Sequence, residues 1–365
     1  MSELHDFSLF DDGFAAALSQ AQSADKTALI QSVWPSDFAS FDTDEAAICT
    51  AFIRHLGKES STIKDHQHSF ALCTLRRIAD TIQMLQNKST RALTDVVREE
   101  RNQALNMDEA VIQRTIELCV RLWLTINVNT STVAVGGRSS RERTLDWTSQ
   151  TSLDDFASKT FVKRTHQPAH QGGANIDARF TAEYLVNHCG IEIVWTNYLT
   201  DHLKFDSDGD VLLVFRHKAY LYLQLEGKAP GPIPPAVFEE ALDSLNLLFP
   251  YGEKLTEQLL IRLEDRDFYN IGACGRERIL DLQHYGYWTK ELGALLQRFE
   301  SPPQTLKQLA FNRRNKQEWY AFWVAVMVAF LTLVSVPCAI LQAVYTIKTY
   351  QLAVAQNNSP ARNEL

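Results

Sequence analysis

The stretch WYAFWVAVMVAFLTLVSVPCAILQAVYTI, Trp319 to Ile347, contains no charged residue. A helix rises about 1.5 Å per residue, so these about 29 positions reach ~43 Å, whereas crossing the hydrocarbon core takes ~20 apolar residues. The stretch therefore predicts one transmembrane helix, with length to spare for tilt. Trp319, Tyr320, Phe322 and Trp323 open it, Tyr345 closes it, and Tyr350 follows. Indole and phenol rings favour the headgroup level, so the two clusters read as interfacial belts. Pro337 sits mid-span and predicts a kink, which a membrane helix tolerates. Gln342 is the one amide and has a modest capacity for helix pairing. The competing reading is a buried helix of a soluble core. Such helices rarely carry so long an uncharged run with aromatic rings at both ends.

Outward from this run, charge sets an orientation. Lys307, Arg313, Arg314 and Lys316 precede it, and only Lys348 and Arg362 follow. Excess positive charge marks the cytosolic side. Each basic side chain near an anionic leaflet adds about 1 kcal/mol of attraction, so NRRNK at 312–316 docks as well as orients. The expected topology is tail-anchored. An N-terminal helical region occupies 1–120 and a helical core with a β insert occupies 121–311. A basic juxtamembrane segment and the transmembrane helix fill 312–348, and 349–365 is a short tail. Asn357-Asn358-Ser359 has the form of a glycosylation acceptor, but the following Pro360 and the nearness of the membrane argue against its use.

The chain has 365 residues, 45% of them hydrophobic, and a formal charge of −8. That is enough for one large domain or two ordinary ones with a real core. The acidic balance argues against nucleic acid as a partner, which needs a concentrated basic surface. Cys49, Cys73, Cys119, Cys189, Cys274 and Cys338 are widely spaced, with no C-x-x-C. This fits reduced thiols in a cytosolic body better than a disulfide framework. The start, MSELHDFSLFDDGF, is acidic and lacks the apolar core of a signal peptide.

Along the body the dominant period is helical. Phe7, Phe10, Phe14 and Leu18 have the spacing of a docking helix. Leu72, Leu75, Ile78, Ala79, Ile82 and Leu85 mark an amphipathic helix over 70–85. Further helices are expected at 90–104 and 108–126, and Ser152 to Asp155 has the form of a capping box opening another. The polar segments 127–144 and 163–176 read as exposed loops. Phe180 to Cys189 reads as a helix closed by Gly190. Then IEIVWT at 191–196, DVLLVFRH at 210–217 and AYLYLQL at 219–225 read as three strands. Helices follow at 235–248, 252–265 and 289–300, and Pro302-Pro303 is expected to open the last one. The fold class is thus mainly α, with a small β insert at about 191–225 and one C-terminal transmembrane helix. There is no internal repeat.

No chemical motif stands out. Asp206 to Asp210, DSDGD, resembles the start of a calcium loop, but a true EF-hand has glycine at position six and glutamate at twelve. Here glycine comes fourth and the twelfth residue is His217, so an acidic turn is the better reading. His166 and His170 have helical ligand spacing, but Pro168 lies between them in a Gly-rich segment, which reads as a solvated loop. His66 and His68 read as the polar lead into a helix. The pairs Asp201/His202 and His188/Cys189 offer acid–base or nucleophilic groups without a visible orienting partner. Gly136-Gly137 and Gly172-Gly173 lack a phosphate-loop context. Tyr285, Tyr287 and Trp288 read as packing. No cofactor or metal is expected from these residues.

Several strings occur together: LWLTINV at 122–128, LDW at 145–147, FTAEYLVNHCGIEIVWTNYLTDHLKFD at 180–206, FEEALDSLNLLFP at 238–250, HYGYWTKEL at 284–292 and NRRNKQEWYAFWVAVMVAFLTLV at 312–334. Together they resemble a group of uncharacterised filamentous-fungal proteins. That group shares a TA-x-x-L…GI-x-I-x-WT…DHL core and an RRN-x-x-x-W-x-x-FW approach to a terminal span. The resemblance covers roughly 120–350 and implies topology rather than chemistry.

The functional expectation is a single-pass membrane protein whose cytosolic helical domain binds other proteins at a bilayer, the lipid bilayer itself being the first partner. The length of the span leans towards the secretory route or plasma membrane. The alternative is a membrane-bound enzyme with a site assembled from distant residues near the β insert, with Asp201, His202 or His217 as candidates. A concave pocket holding two titratable groups within hydrogen-bond reach is what would favour it.

Overall fold

The computed structural model describes residues 56–57, 59, 69–70, 74–103, 107–130, 141–164, 175–226, 231–265, 268, 272–301 and 316–357. The expected helix at Phe7–Leu18, Cys49, Cys73, His66, His68, His166, His170, Gly136-Gly137, Gly172-Gly173, Pro302-Pro303, Arg313 and Arg314 lie outside the described residues. The chain divides into two compact units, Met1–Glu300 and Ser301–Leu365.

The first named helices among the described residues are α1 Leu75–Asn87, α2 Leu93–Gln103 and α3 Glu109–Leu124, with α1 and α2 both packed on α3. The expected 3–4 spacing is the one that is buried: Leu75, Ile78, Ala79, Ile82 and Leu85 face the core. Each such Leu or Ile contributes about 1.5–3 kcal/mol. Local chemistry starts the helices. Thr74 accepts the Arg77 N–H at 3.3 Å, and Asp108 accepts the Ala110 N–H at 3.4 Å, filling donors that a first turn leaves open.

The chain then forms a two-residue parallel ladder, β1 Val128–Asn129 with β2 Leu145–Asp146. This corrects the reading of 127–144 as wholly exposed loop, since Asn127 and Val128 are buried. Helix α4, Leu153–Thr160, starts where the capping box places it, with Ser152 Oγ accepting the Asp155 N–H at 3.1 Å. Helix α5, Ala182–Cys189, is capped by Thr181 and closed by Gly190 at φ 75°, a left-handed position that favours glycine.

The β insert is a three-stranded sheet in the order β3-β5-β4. β3, Glu192–Thr196, runs parallel to β5, Val211–Phe215, in the register Glu192↔Val211. β4, Phe205–Asp206, pairs antiparallel with β5. DSDGD is the hairpin turn between them, with Asp206 Oδ1 accepting the Asp208 N–H at 3.2 Å. Asp210 is held by Arg298 at 3.0 and 3.2 Å. The central strand VLLVF is buried along its whole length, which is why it reads as an unbroken apolar run.

The segment 219–225, expected as a third strand, is helical within α6, Lys218–Glu226. It packs against α7, Pro235–Leu248, and is buried on adjacent positions rather than on one face. A short run buried all round has no period that separates helix from strand. Helices α8, Lys254–Arg262, and α9, Thr289–Glu300, follow among the described residues. Tyr285 and Trp288 are buried packing residues, as the sequence implies.

Among the described residues the second unit contains one helix, α10, Lys316–Asn357, which continues through Pro337. Its segment Trp319–Ala355 is the one helix among the described residues long and apolar enough to cross a membrane, and none of its apolar window is buried.

Candidate functional site

Trp319, Tyr320, Phe322 and Trp323 sit on the first turns of α10, where Trp319 lies edge-on to Tyr320 at 5.2 Å and Phe322 to Trp323 at 5.7 Å. Tyr345 lies about 26 residues further on, a rise of ~39 Å, close to the 40–45 Å that separates the outer edges of two headgroup regions. Thr332 donates to the Val328 carbonyl at 2.8 Å and Thr346 to the Gln342 carbonyl at 2.8 Å, so these hydroxyls are satisfied within the helix. Pro337 lacks an N–H for the Leu333 carbonyl, and the helix carries on past it. Lys316 is the first residue of α10.

In the first unit, residues singled out from sequence come together around one cleft of about 780 Å³. Four pieces of chain wall it: residues from Arg143 to Thr151, the end of α4 through Arg164, the turn Leu199–Asp201 running into β4, and the start of α9. Three contacts fix their spacing. The Asp201 carboxylate, fully buried, accepts the Arg143 N–H at 3.2 and 3.0 Å. Lys204 Nζ donates to the Arg141 carbonyl at 2.9 Å. The Arg164 N–H donates to the Gly286 carbonyl at 2.9 Å.

The start of α9 is held from behind by Glu240 on α7. Its carboxylate accepts the N–H groups of Gly286 at 2.7 Å, Tyr287 at 2.7 Å and Trp288 at 2.8 Å. Burial pushes this carboxyl up, and the three N–H donors pull it down. The same two influences act on Asp201, where burial raises the carboxyl and the Arg143 N–H and the Lys204 and Arg143 charges oppose it.

His202 lines the cleft and is within hydrogen-bond distance of a serine, which invites comparison with a base and its nucleophile. The wiring is otherwise. His202 Nδ1 accepts the Phe215 N–H at 3.3 Å, so the proton sits on Nε2 and is donated to Ser244 Oγ at 2.7 Å. Ser244 passes its own proton to the Ala241 carbonyl at 2.7 Å. Burial lowers the imidazole to about 3. Neither nitrogen can accept a proton from Ser244, so the pair joins α7 to the sheet. His217, the other candidate, donates to Asn197 Oδ1 at 3.1 Å outside the cleft. His188 stacks on Tyr184 at 4.3 Å beside a buried Cys189.

The groups facing the cleft are mainly cationic. Arg143, Lys159, Arg164, Lys204 and Lys290 line it against Asp146, Asp201 and Glu291. Arg164 Nη1 pairs with Glu291 at 3.5 Å and Lys204 with Asp201 at 3.9 Å. Among the described residues, Lys159 and Lys290 make no ion pair and no side-chain hydrogen bond. Sequence reasoning found Asp201 and His202 but none of these cations, because an exposed lysine carries no local signal of where the fold puts it. Among the described residues no cluster of three or more His, Cys, Asp or Glu could hold a metal ion.

Compared with known proteins, the chain matches no family model, no curated protein and no solved structure.

Proposed function

We propose that α10 anchors this chain in a lipid bilayer as a single-pass protein, with the folded first unit on the cytosolic side as a protein-interaction or scaffold domain. The observation that carries the reading is the Trp319–Ala355 helix, apolar over a bilayer's thickness and buried nowhere along its apolar window. Leaving such a surface in water is unfavourable at about 25 cal/mol per Å², and lipid removes that penalty. The orientation is supported by the cations before the helix, Lys307, Arg313, Arg314 and Lys316, against Lys348 and Arg362 after it. Holding a folded body at a surface raises its effective concentration for partners there.

The experiment is protease protection of vesicles carrying the chain with an N-terminal fluorescent tag. External protease removing the tag while a fragment of the helix is protected fits the reading. Full protection of the tag sinks the cytosolic orientation.

A second reading, a membrane-bound enzyme with a site that follows no motif, is favoured by the cleft, where Asp201 and Glu291 each lie beside a cation. A buried carboxylate with a raised pKa in a cleft is a candidate acid or base. The His202–Ser244 pair adds nothing to it, for the reason of proton direction given above.

A further inference from the structure

We propose that the cleft between α4, the Leu199–Asp201 turn and the start of α9 binds a phosphorylated polyol, phosphate on its lysine rim and hydroxyls on Glu291 and Thr200.

The first observation is charge. The chain is acidic overall, at −8, yet five cations converge on this one concavity. Lys159 on α4 and Lys290 on α9 are both exposed and have no anionic partner among the described residues. Two unpaired ammonium groups from separate helices, with the Arg143 side chain beside them, leave a local positive field that an anion from outside neutralises. Lysine is a point charge suited to phosphate, and arginine adds a planar fork.

The second observation is hydrogen bonding. Glu291 gives one oxygen to Arg164, and its Oε2 has no hydrogen-bond partner. The Thr200 hydroxyl has none either. A carboxylate oxygen only accepts, so it calls for a donor, and a bare phosphate ion at neutral pH has little to donate. Ligand hydroxyls supply that donor and also meet Thr200. Cations alone point to any anion, but cations lining the same cleft as a buried, unpartnered carboxylate oxygen and a threonine hydroxyl point to a molecule carrying both phosphate and hydroxyl groups.

The third observation is size. At about 780 Å³ the cleft lies within the ~300–1,000 Å³ of small-molecule sites. That accommodates a phosphorylated sugar or inositol and exceeds what a single inorganic ion fills. The shared chemistry fits a free phosphorylated polyol or the headgroup of a phosphorylated inositol lipid. The site belongs to the first unit, so the proposal stands whether or not α10 enters a membrane.

The test is calorimetric titration of the detergent-solubilised full chain with inositol trisphosphate at low salt. Saturable binding is expected, weakening as salt rises. Inorganic phosphate and unphosphorylated inositol are each expected to bind roughly tenfold or more weaker, since each lacks one set of contacts. The double variant Lys159→Ala/Lys290→Ala is expected to weaken binding at least ~10-fold, and Glu291→Gln to weaken it by a smaller factor. Lys254→Ala, an exposed lysine away from the cleft, is expected to bind like the parent. Both cleft lysines are exposed and unpartnered, so their removal leaves the circular dichroism unchanged; Lys159→Glu is the second variant, expected to weaken binding further than Lys159→Ala. Absence of trisphosphate binding, an unaffected double variant, or inorganic phosphate matching the trisphosphate overturns the proposal. Vesicles containing phosphatidylinositol bisphosphate then assign the source. Competition with the soluble trisphosphate identifies a headgroup, and intact binding without competition identifies a free ligand; the site stands in both cases.

Discussion

Arg276 holds Asp243 through two parallel hydrogen bonds, Nε to Oδ1 at 2.6 Å and Nη2 to Oδ2 at 2.8 Å. The aspartate sits in the middle of α7 with no exposed surface, and His284 Nε2 lies 2.8 Å from the same Oδ2. The pair ties α7 to the loop that precedes α9, and so to one wall of the cleft. Removing the guanidinium leaves a buried charge with little compensation. Arg276→Met is therefore expected to destabilise the fold by about 3–5 kcal/mol, and adding Asp243→Leu to restore much of that loss. Urea unfolding of the two variants against the parent measures both effects. Equal stability of the single variant and the parent would show that the pair does not hold the loop.

His202 makes the fold sensitive to mild acid. Its imidazole is lowered from 6.5 to about 3 by burial, and it stays neutral where an unfolded chain protonates. The unfolded state binds the extra proton between these values, so this stability is complete above pH 6.5 and is lost as pH falls towards 3. About 1.4 kcal/mol is expected to go by pH 5.5. Asp201 and Glu240 act in the opposite sense. Burial raises both carboxyls, so their contribution is present at acid pH and lost as pH rises through their folded values. Urea midpoints at pH 7.5 and 5.5, compared between the parent and a His202 variant, isolate the histidine. His202→Gln should flatten the difference, and an unchanged slope would contradict the burial argument.

Glu240 is the keystone of the α9 start. Glu240→Ala strands three N–H donors and is expected to cost on the order of 3 kcal/mol, while Glu240→Gln retains one acceptor oxygen and costs less. Tryptophan fluorescence follows the change locally, since Trp288 carries one of the three donors. A Glu240→Gln variant as unstable as Glu240→Ala would mean that the charge, and not the hydrogen bonding, is what matters.

Much of this architecture is legible in the sequence where one chain segment decides its own conformation. Pro235–Leu248 starts at its proline, and Thr289–Glu300 buries the 3–4 period of Leu292, Leu295, Leu296 and Phe299. Ser152, Asp108 and Gly190 mark helix ends through bonds to residues two to five positions away. What local pattern cannot show is pairing at a distance. β1 and β2 meet through two residues each, 17 positions apart. The helix at 218–226 is buried on so many sides that its aromatic and aliphatic residues mimic a strand. At the cleft, His202 is visible as a candidate, but Phe215, whose N–H fixes the imidazole proton on Nε2, and Ser244, which accepts it, lie 13 and 42 residues on. Lys159 and Lys290 gain meaning only when α4 and α9 are brought together.

The apolar helix carries its own prediction. An arginine at its centre, as in Leu331→Arg, is expected to oppose insertion by about 2.5–3.5 kcal/mol while leaving the first unit folded. Membrane-fraction partitioning of that variant against Leu331→Ala, with circular dichroism as the control, reads the effect. Equal partitioning would mean that residues near 331 do not lie in hydrocarbon.

Alkaline carbonate extraction of vesicles carrying the full chain tests the anchor most directly. If Trp319–Ala355 is embedded in lipid, the full chain stays with the membrane pellet and a form lacking 316–357 is released. Release of the full chain into the supernatant would contradict the account.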